Sequence, residues 1–339
     1  CSIGSERHYP HGMLAAHVLG RVGRDRLPFN PGDERINFID KELCGRDGLE
    51  LQYDTLLRGM PGEERVLVDA LGFATEREVL VEARNGFDLK LTLDYRLQKA
   101  AEDALRGLRG AFVAVDPRDG SVRAMVSVPS FDPRECVPVF PRKLYERYSK
   151  DPAKPLLNRA VAGQYAPGST FKPVTALAAL SCGLDEDAAL YDAGHIDMGG
   201  RSFGCHLWNS TGGTHGYTDL DDAMKVSCNY YFYDIASGMD FASGTALGYE
   251  KTMTNETILT FARKLGLGEK TGIEIGESSG TLPSEALKRQ AAKASLKNFL
   301  IEECETYFEK ETLKDSEVFE RNVEKILNLT DKDLTLNQL

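Results

Sequence analysis

Ser169 and Lys172 stand three residues apart in the segment Gln164-Tyr165-Ala166-Pro167-Gly168-Ser169-Thr170-Phe171-Lys172-Pro173. Pro167-Gly168 makes a turn. The spacing predicts a helix from about Ser169, with Pro173 in its first turn, where a missing N–H costs little. Residues three apart on a helix lie one above the other, so the amine comes within reach of the hydroxyl. A desolvated lysine gives up its proton more easily and can then serve as the base for a serine nucleophile. The helix N-terminus favours the negative charge that develops there. The chemistry open to this pair is acyl transfer. Ser-x-x-Lys also occurs at ordinary solvated helix starts, so the flanking sequence has to decide.

Two further groups carry reactive residue types. Cys205, His206, His215 and Cys228 lie within 24 residues. They are zinc-ligand types, but the spacing matches no standard finger. The expectation is ordinary loop residues and no metal, with zinc as the alternative. Lys270-Thr271-Gly272 follows Leu265-Gly266-Leu267-Gly268-Glu269, which lacks the apolar run of a strand. No Gly-rich nucleotide loop stands in a strand–helix context, and no cofactor is expected.

With its flanks, the segment Pro167 to Pro173 resembles the nucleophile motif of class B penicillin-binding proteins, especially the elongation-type members. Class A β-lactamases share the bare Ser-x-x-Lys. Leu91-Thr92-Leu93-Asp94-Tyr95-Arg96-Leu97-Gln98 is similar to the start of that family's transpeptidase domain. Val113 to Pro133 is similar to its first hairpin, and Asn158-Arg159-Ala160 to the approach to the nucleophile. Gly48-Leu49-Glu50 and Leu57-Arg58-Gly59 are similar to its N-terminal pedestal. The resemblance runs from about residue 7 to 283, with the motifs in order. Ser227-Cys228-Asn229, followed by Tyr230-Tyr231-Phe232-Tyr233, resembles the second motif, Ser-x-Asn.

The resemblance implies an α+β fold of the penicillin-binding-protein and serine β-lactamase kind, with helices around an antiparallel sheet. It implies Ser169 as nucleophile, Lys172 as base, Ser227 as proton shuttle and Asn229 as a ligand for the substrate amide. The implied activity is D,D-transpeptidation of peptidoglycan stem peptides through an acyl-enzyme, with β-lactams as alternative acylating agents. The implied partners are cell-elongation membrane proteins of the glycosyltransferase or scaffold type. The implied place is the extracytoplasmic face of the bacterial inner membrane, held by an N-terminal anchor. The family's third motif is Lys-Thr-Gly on a strand. Lys270-Thr271-Gly272 resembles a segment that precedes it, so Lys270 and Thr271 are minor candidates for substrate binding. Neither Lys-Thr-Gly nor His-Thr-Gly occurs after Pro283. Impaired activity is therefore expected. An inactive scaffold protein is one rival. A β-lactam-sensing or hydrolysing relative is another, disfavoured because no deacylating glutamate can be assigned.

Several elements must position these residues. Asp88 to Leu93 alternates like a strand. A helix is expected from Asp94, with Leu97, Ala101, Ala104, Leu105 and Leu108 on one face and Gly110 as its stop. Ala111–Val115 and Val122–Val126 read as a hairpin around Pro117-Arg118-Asp119-Gly120. Phe171, Val174, Leu177, Ala178 and Leu180 are the expected buried contacts of the nucleophile helix. Thr218 with Asp221 is the expected cap of a helix through Met224. The expected domains are a β-rich pedestal over 1–85, a transpeptidase region over 86–283 and a helical tail over 284–339. All 32 Gly and 14 Pro precede Ser284. Leu296, Phe299, Leu300, Cys304, Tyr307 and Phe308, then Val318, Phe319, Val323, Ile326 and Leu327, predict two amphipathic helices, the second capped near Asp315 or Ser316. The tail reads either as a helical subdomain or as a segment foreign to what precedes it.

The whole composition agrees with this picture. A chain of 339 residues suits about two domains. With 42% hydrophobic and 27% charged residues it is not a disordered chain. A net charge of -11 disfavours nucleic acid as a partner. The apolar stretch around Val174 to Leu180 is far short of the ~20 residues that span a bilayer. The chain begins at Cys1 and not at Met, which is read as the removal of an N-terminal segment. Its seven Cys include no CxxC pair, so no disulfide framework is expected.

Overall fold

The computed structural model describes residues 6–24, 43–60 and 62–329. The chain divides into two units, Cys1–Gly168 with Glu269–Gly280, and Ser169–Gly268 with Thr281–Leu339.

In the first unit short antiparallel pairs alternate with helices. Val22–Arg24 pairs with Leu43–Gly45, and Glu63–Val68 pairs with Ala74–Val81. The helix Ala16–Leu19 precedes the first pair, and the helices Gly48–Gln52 and Asp54–Arg58 lie between the two pairs in sequence. The expected hairpin is present, as Gly110–Val115 against Val122–Val128. Its turn is closed by Asp116, whose carbonyl accepts from Gly120 N. Gly120 has φ +75, a conformation that the turn requires and glycine supplies without strain.

Asp94 caps the helix Tyr95–Ala104 by accepting from the N–H groups of Arg96 and Leu97. The helix ends well before Gly110, with Leu105 as its C-cap. Of its expected apolar face, Ala101 is buried while Leu97 and Leu108 are exposed. The polar Gln98 does the anchoring. Its Nε2 donates to Met125 O and its Oε1 accepts from Met125 N, both at 2.8 Å. Asp88 to Leu93 forms no strand. The alternation is present, but the segment is held by single contacts, such as Thr92 Oγ1 donating to Val122 O, and not by a ladder. The core here gathers Ala15, Val18, Leu49, Met125 and Ile275.

In the second unit the helix Lys172–Cys182 packs on the helices Asn229–Ser237 and Asn255–Lys264. Its buried stripe is Val174, Thr175, Ala176, Ala178, Ala179 and Cys182. Leu177 and Leu180, expected inside, are exposed. The small residues let the neighbouring helix bring Tyr230, Tyr231, Phe232 and Ile235 into the same core. The helix Leu220–Lys225 is capped by Asp219, which accepts from Asp222 N. Thr218, the expected cap, lies one residue too early and pairs with Leu190 as part of a short ladder.

Among the described residues the tail is helical in four segments, not two: Glu285–Glu302, Cys304–Tyr307, Lys310–Lys314 and Ser316–Leu329. Among its described residues Leu300 and Val323 are buried, while Phe299 and Tyr307 are exposed. Asp315 accepts from the N–H groups of Glu317 and Val318, at the expected cap position. Among the described residues no helix is long and apolar enough to cross a membrane.

Candidate active site

Ser169 sits in the 3-10 turn Gly168–Phe171, and Lys172 opens the α-helix that follows. Ser169 is therefore not in the α-helix predicted to start from it. Gly168 has φ +58, which favours glycine over any side chain immediately before Ser169. Ser169 is exposed, whereas Lys172 is only 8% exposed.

Ser227 and Asn229 come from the turn between the helices Leu220–Lys225 and Asn229–Ser237. Ser227 has φ +56, uncommon for a residue with a Cβ. The turn is held from both sides. Cys228 N donates to Ala223 O at 2.9 Å, and the Cys228 sulfur accepts from Tyr231 N at 3.5 Å. Lys172 Nζ donates to Ser227 O at 2.6 Å and to Ser227 Oγ at 2.9 Å. Ser227 Oγ in turn donates to Ser169 Oγ at 2.9 Å.

These contacts form a continuous chain from the Lys172 amine to the Ser169 hydroxyl. Direct contact between Lys172 and Ser169 was the expectation; the Lys172 bonds go instead to Ser227. Burial pushes the Lys172 amine below its usual range, against an opposing pull from Cys228 and Cys205. The Phe232 ring centroid stands 5.2 Å from Nζ. A neutral amine at this position can accept a proton from Ser227 as Ser227 takes one from Ser169. Asn229 is the first residue of its helix and half-buried, and its N–H donates to Cys205 Sγ at 3.4 Å.

Lys270 and Thr271 belong to the first unit and lie in irregular backbone. The carboxylate of Glu277 accepts from Thr271 Oγ1 and Gly272 N, both at 2.9 Å. This Lys-Thr-Gly is tied into a loop, as its flanks suggested.

The Cys/His group acquires a member that spacing did not reveal. Asp192, Cys205, His215 and Cys228 place one ligand atom each within 4.8 Å of one another. His215 donates to Asp192 Oδ2 from its backbone N at 3.0 Å, and its Nδ1 is 2.8 Å from the same oxygen. The Cys228 thiol donates to that oxygen at 3.5 Å. Burial pushes Asp192 up, but bonds from His215, Gly194 and Cys228 outweigh it and hold the carboxyl below its usual range. Burial pushes the Cys228 thiol up to about 12. His206 stays outside the four, with its Nδ1 3.8 Å from Cys205 Sγ. Two sulfurs, one imidazole and one carboxylate are a donor set suited to a tetrahedral ion such as zinc.

Comparison with known proteins places these features in context. Residues 110–297 match the family described as the penicillin binding protein transpeptidase domain. Residues 2–91 match the penicillin-binding protein dimerisation domain. The peptidoglycan D,D-transpeptidase MrdA of Acinetobacter baumannii is 37% identical over 296 residues, 85% of this chain and 41% of that protein. MrdA of Escherichia coli K12 is 33% identical over 293 residues, 85% of this chain and 44% of that protein. A complex of penicillin-binding protein PBP2 with MreC from Helicobacter pylori aligns with a TM-score of 0.68 at 29% identity, over 84% of this chain and 50% of that chain. Pseudomonas aeruginosa PBP2 bound to WCK 5153 aligns with a TM-score of 0.64 at 32% identity, over 84% of this chain and 56% of that chain. The chain thus spans less than half the length of these curated relatives.

Proposed function

The chain belongs to the penicillin-binding protein transpeptidase family, and from that premise we propose that Ser169 is acylated by peptidoglycan stem peptides ending in D-Ala-D-Ala, and by β-lactams in their place. The observation that carries this reading is the chain of contacts from Lys172 through Ser227 to Ser169. Ser169 Oγ attacks the carbonyl of the penultimate D-Ala. Its proton passes to Ser227 Oγ, and the Ser227 proton passes to the neutral Lys172 amine. The lysine then returns a proton through Ser227 to the departing D-Ala nitrogen. An amine from a second stem peptide then attacks the acyl carbon and gives up a proton through Ser227 to Lys172. The bond to Ser169 Oγ breaks, the proton returns to Ser169 by the same path, and the cross-link is complete. Asn229 is suited to bind the substrate amide.

Backbone N–H groups stabilise the oxyanion in such reactions, and losing one costs about 10²–10³ in rate. Lys270-Thr271-Gly272 is tied to Glu277 and supplies no docking strand. This supports slow acylation. It also favours a second reading, in which the chain acts mainly by binding partners. The relatives whose structures include MreC or a peptidoglycan synthase complex suggest cell-elongation membrane proteins as those partners, at the extracytoplasmic face of the inner membrane.

The set Asp192, Cys205, His215 and Cys228 fits a bound zinc ion, and we include that ion in the proposal. Such an ion would brace the turn that carries Ser227 and Asn229. A zinc ion would also hold the thiols as thiolates.

The test is labelling with a fluorescent penicillin. Covalent label lost in Ser169→Ala is the expected result. Label persisting in that variant would refute the assignment. A correctly folded chain that never labels would favour the binding-only reading.

A further inference from the structure

We propose that Cys205 and Cys228 are a redox pair that closes to a disulfide when no ion holds them, and that this bond disables the turn carrying Ser227 and Asn229. The two sulfurs lie within 4.8 Å of each other, and both residues are fully buried. Cys228 is the middle residue between Ser227 and Asn229. Its sulfur accepts from Tyr231 N, and the Cys205 sulfur accepts from Asn229 N. Both thiols therefore hold backbone N–H groups of the turn and of the helix it starts.

A disulfide requires the sulfurs to approach to about 2.05 Å with a fixed torsion. That movement draws them away from the two N–H groups. It acts on a turn whose Ser227 is already in a left-handed conformation and which carries both acceptors of Lys172. The relay from Lys172 to Ser169 loosens as a result.

The oxidant is a disulfide of a small thiol or of a thiol oxidoreductase. Both sulfurs are buried, so the attack follows local opening of the turn. One cysteine gives up its thiol proton to water and attacks the donor disulfide, forming a mixed disulfide and releasing one thiol. The second cysteine attacks the mixed disulfide and releases the other thiol. Two cysteine thiols are oxidised and one donor disulfide is reduced to two thiols. A bound ion blocks this by occupying both sulfurs. The pair itself stands on geometry, and only the protection rests on the ion proposed above.

The experiment treats the full chain with a chelator and then with oxidised glutathione. Free thiols are alkylated, and peptides are mapped without reduction. The expected result is a peptide linking Cys205 to Cys228, lost on adding dithiothreitol and absent from Cys205→Ser. Amide hydrogen exchange at Asn229 and Tyr231 is expected to be at least about tenfold faster in the oxidised chain, the consequence of two lost acceptors. A parallel sample preloaded with zinc is expected to give no linked peptide. If the link forms there too, the pair stands and the ion reading fails. Recovery of both cysteines as alkylated thiols, or of either one joined to glutathione or to another cysteine, would overturn the proposal. Unchanged exchange at Asn229 and Tyr231 in the linked chain would overturn its effect on the turn.

Discussion

In the proposed relay Lys172 acts through Ser227, to which its amine is hydrogen-bonded. Lys172→Ala is expected to slow acylation of Ser169 by about 10²–10⁴, the range for general-base assistance. Ser227→Ala should fall in the same range, because removing either one breaks the same path. Acylation rates from quenched labelling test both; a near-normal rate in Ser227→Ala would mean that Lys172 reaches Ser169 directly. Asp234 offers a separate test. Its Oδ1 accepts from Phe241 N, while its buried Oδ2 has no hydrogen-bond partner. Burial, with smaller contributions from Asp240 and Asp192, pushes its pKa to about 7. The folded chain thus binds this proton more tightly than the unfolded chain does. Between about pH 4 and 7 the group's contribution to stability falls as pH rises. Asp234→Asn should remove that part of the pH dependence, so the gap in melting temperature between variant and parent should widen from pH 5 to pH 8. A constant gap would contradict it. At this scale the sequence was most legible where chemistry has fixed spacing. Ser169, Lys172 and Ser227, which the motifs singled out, are joined by hydrogen bonds through Ser227. Asp192 could not be singled out, because it lies 13 residues before Cys205 with no spacing rule to connect them.

Local elements were legible where a turn signal or a cap decides them. Asp94, Asp315 and the Pro117-Arg118-Asp119-Gly120 turn each have their effect within a few residues, and each appears where expected. Periodicity was a poorer guide to which face is buried. The helix Tyr95–Ala104 is anchored by Gln98 and not by its leucines. Lys172–Cys182 buries small residues and leaves Leu177 and Leu180 exposed. Hydrophobic side chains mark a face only when a partner surface covers it, and that partner is a tertiary fact. The Gln98 contact gives a direct test. Gln98→Ala leaves the buried N–H and C=O of Met125 without this partner and should cost about 1–3 kcal/mol. Urea denaturation would show it as a lower midpoint at an unchanged slope. A midpoint within error of the parent would mean that other groups satisfy Met125.

At the scale of the whole molecule, the sequence pointed to the family, which the matches over residues 2–91 and 110–297 show. The division into pedestal, transpeptidase region and helical tail stays an expectation, and the transpeptidase match extends past the expected boundary at 283. The tail's composition foretold helix but not its breaks, since short helical segments follow from packing as well as from propensity. The central claim is that Ser169, supported by Lys172 and Ser227, is the acylation centre of this chain. The most direct measurement is prolonged incubation of the 339-residue chain with penicillin, followed by mass spectrometry of its peptides. The account predicts a slowly formed adduct of one antibiotic molecule on the peptide containing Ser169, at least ~10² slower than for a relative with its third motif, and none in Ser169→Ala. An adduct on another residue, or an equal yield in Ser169→Ala, would contradict it.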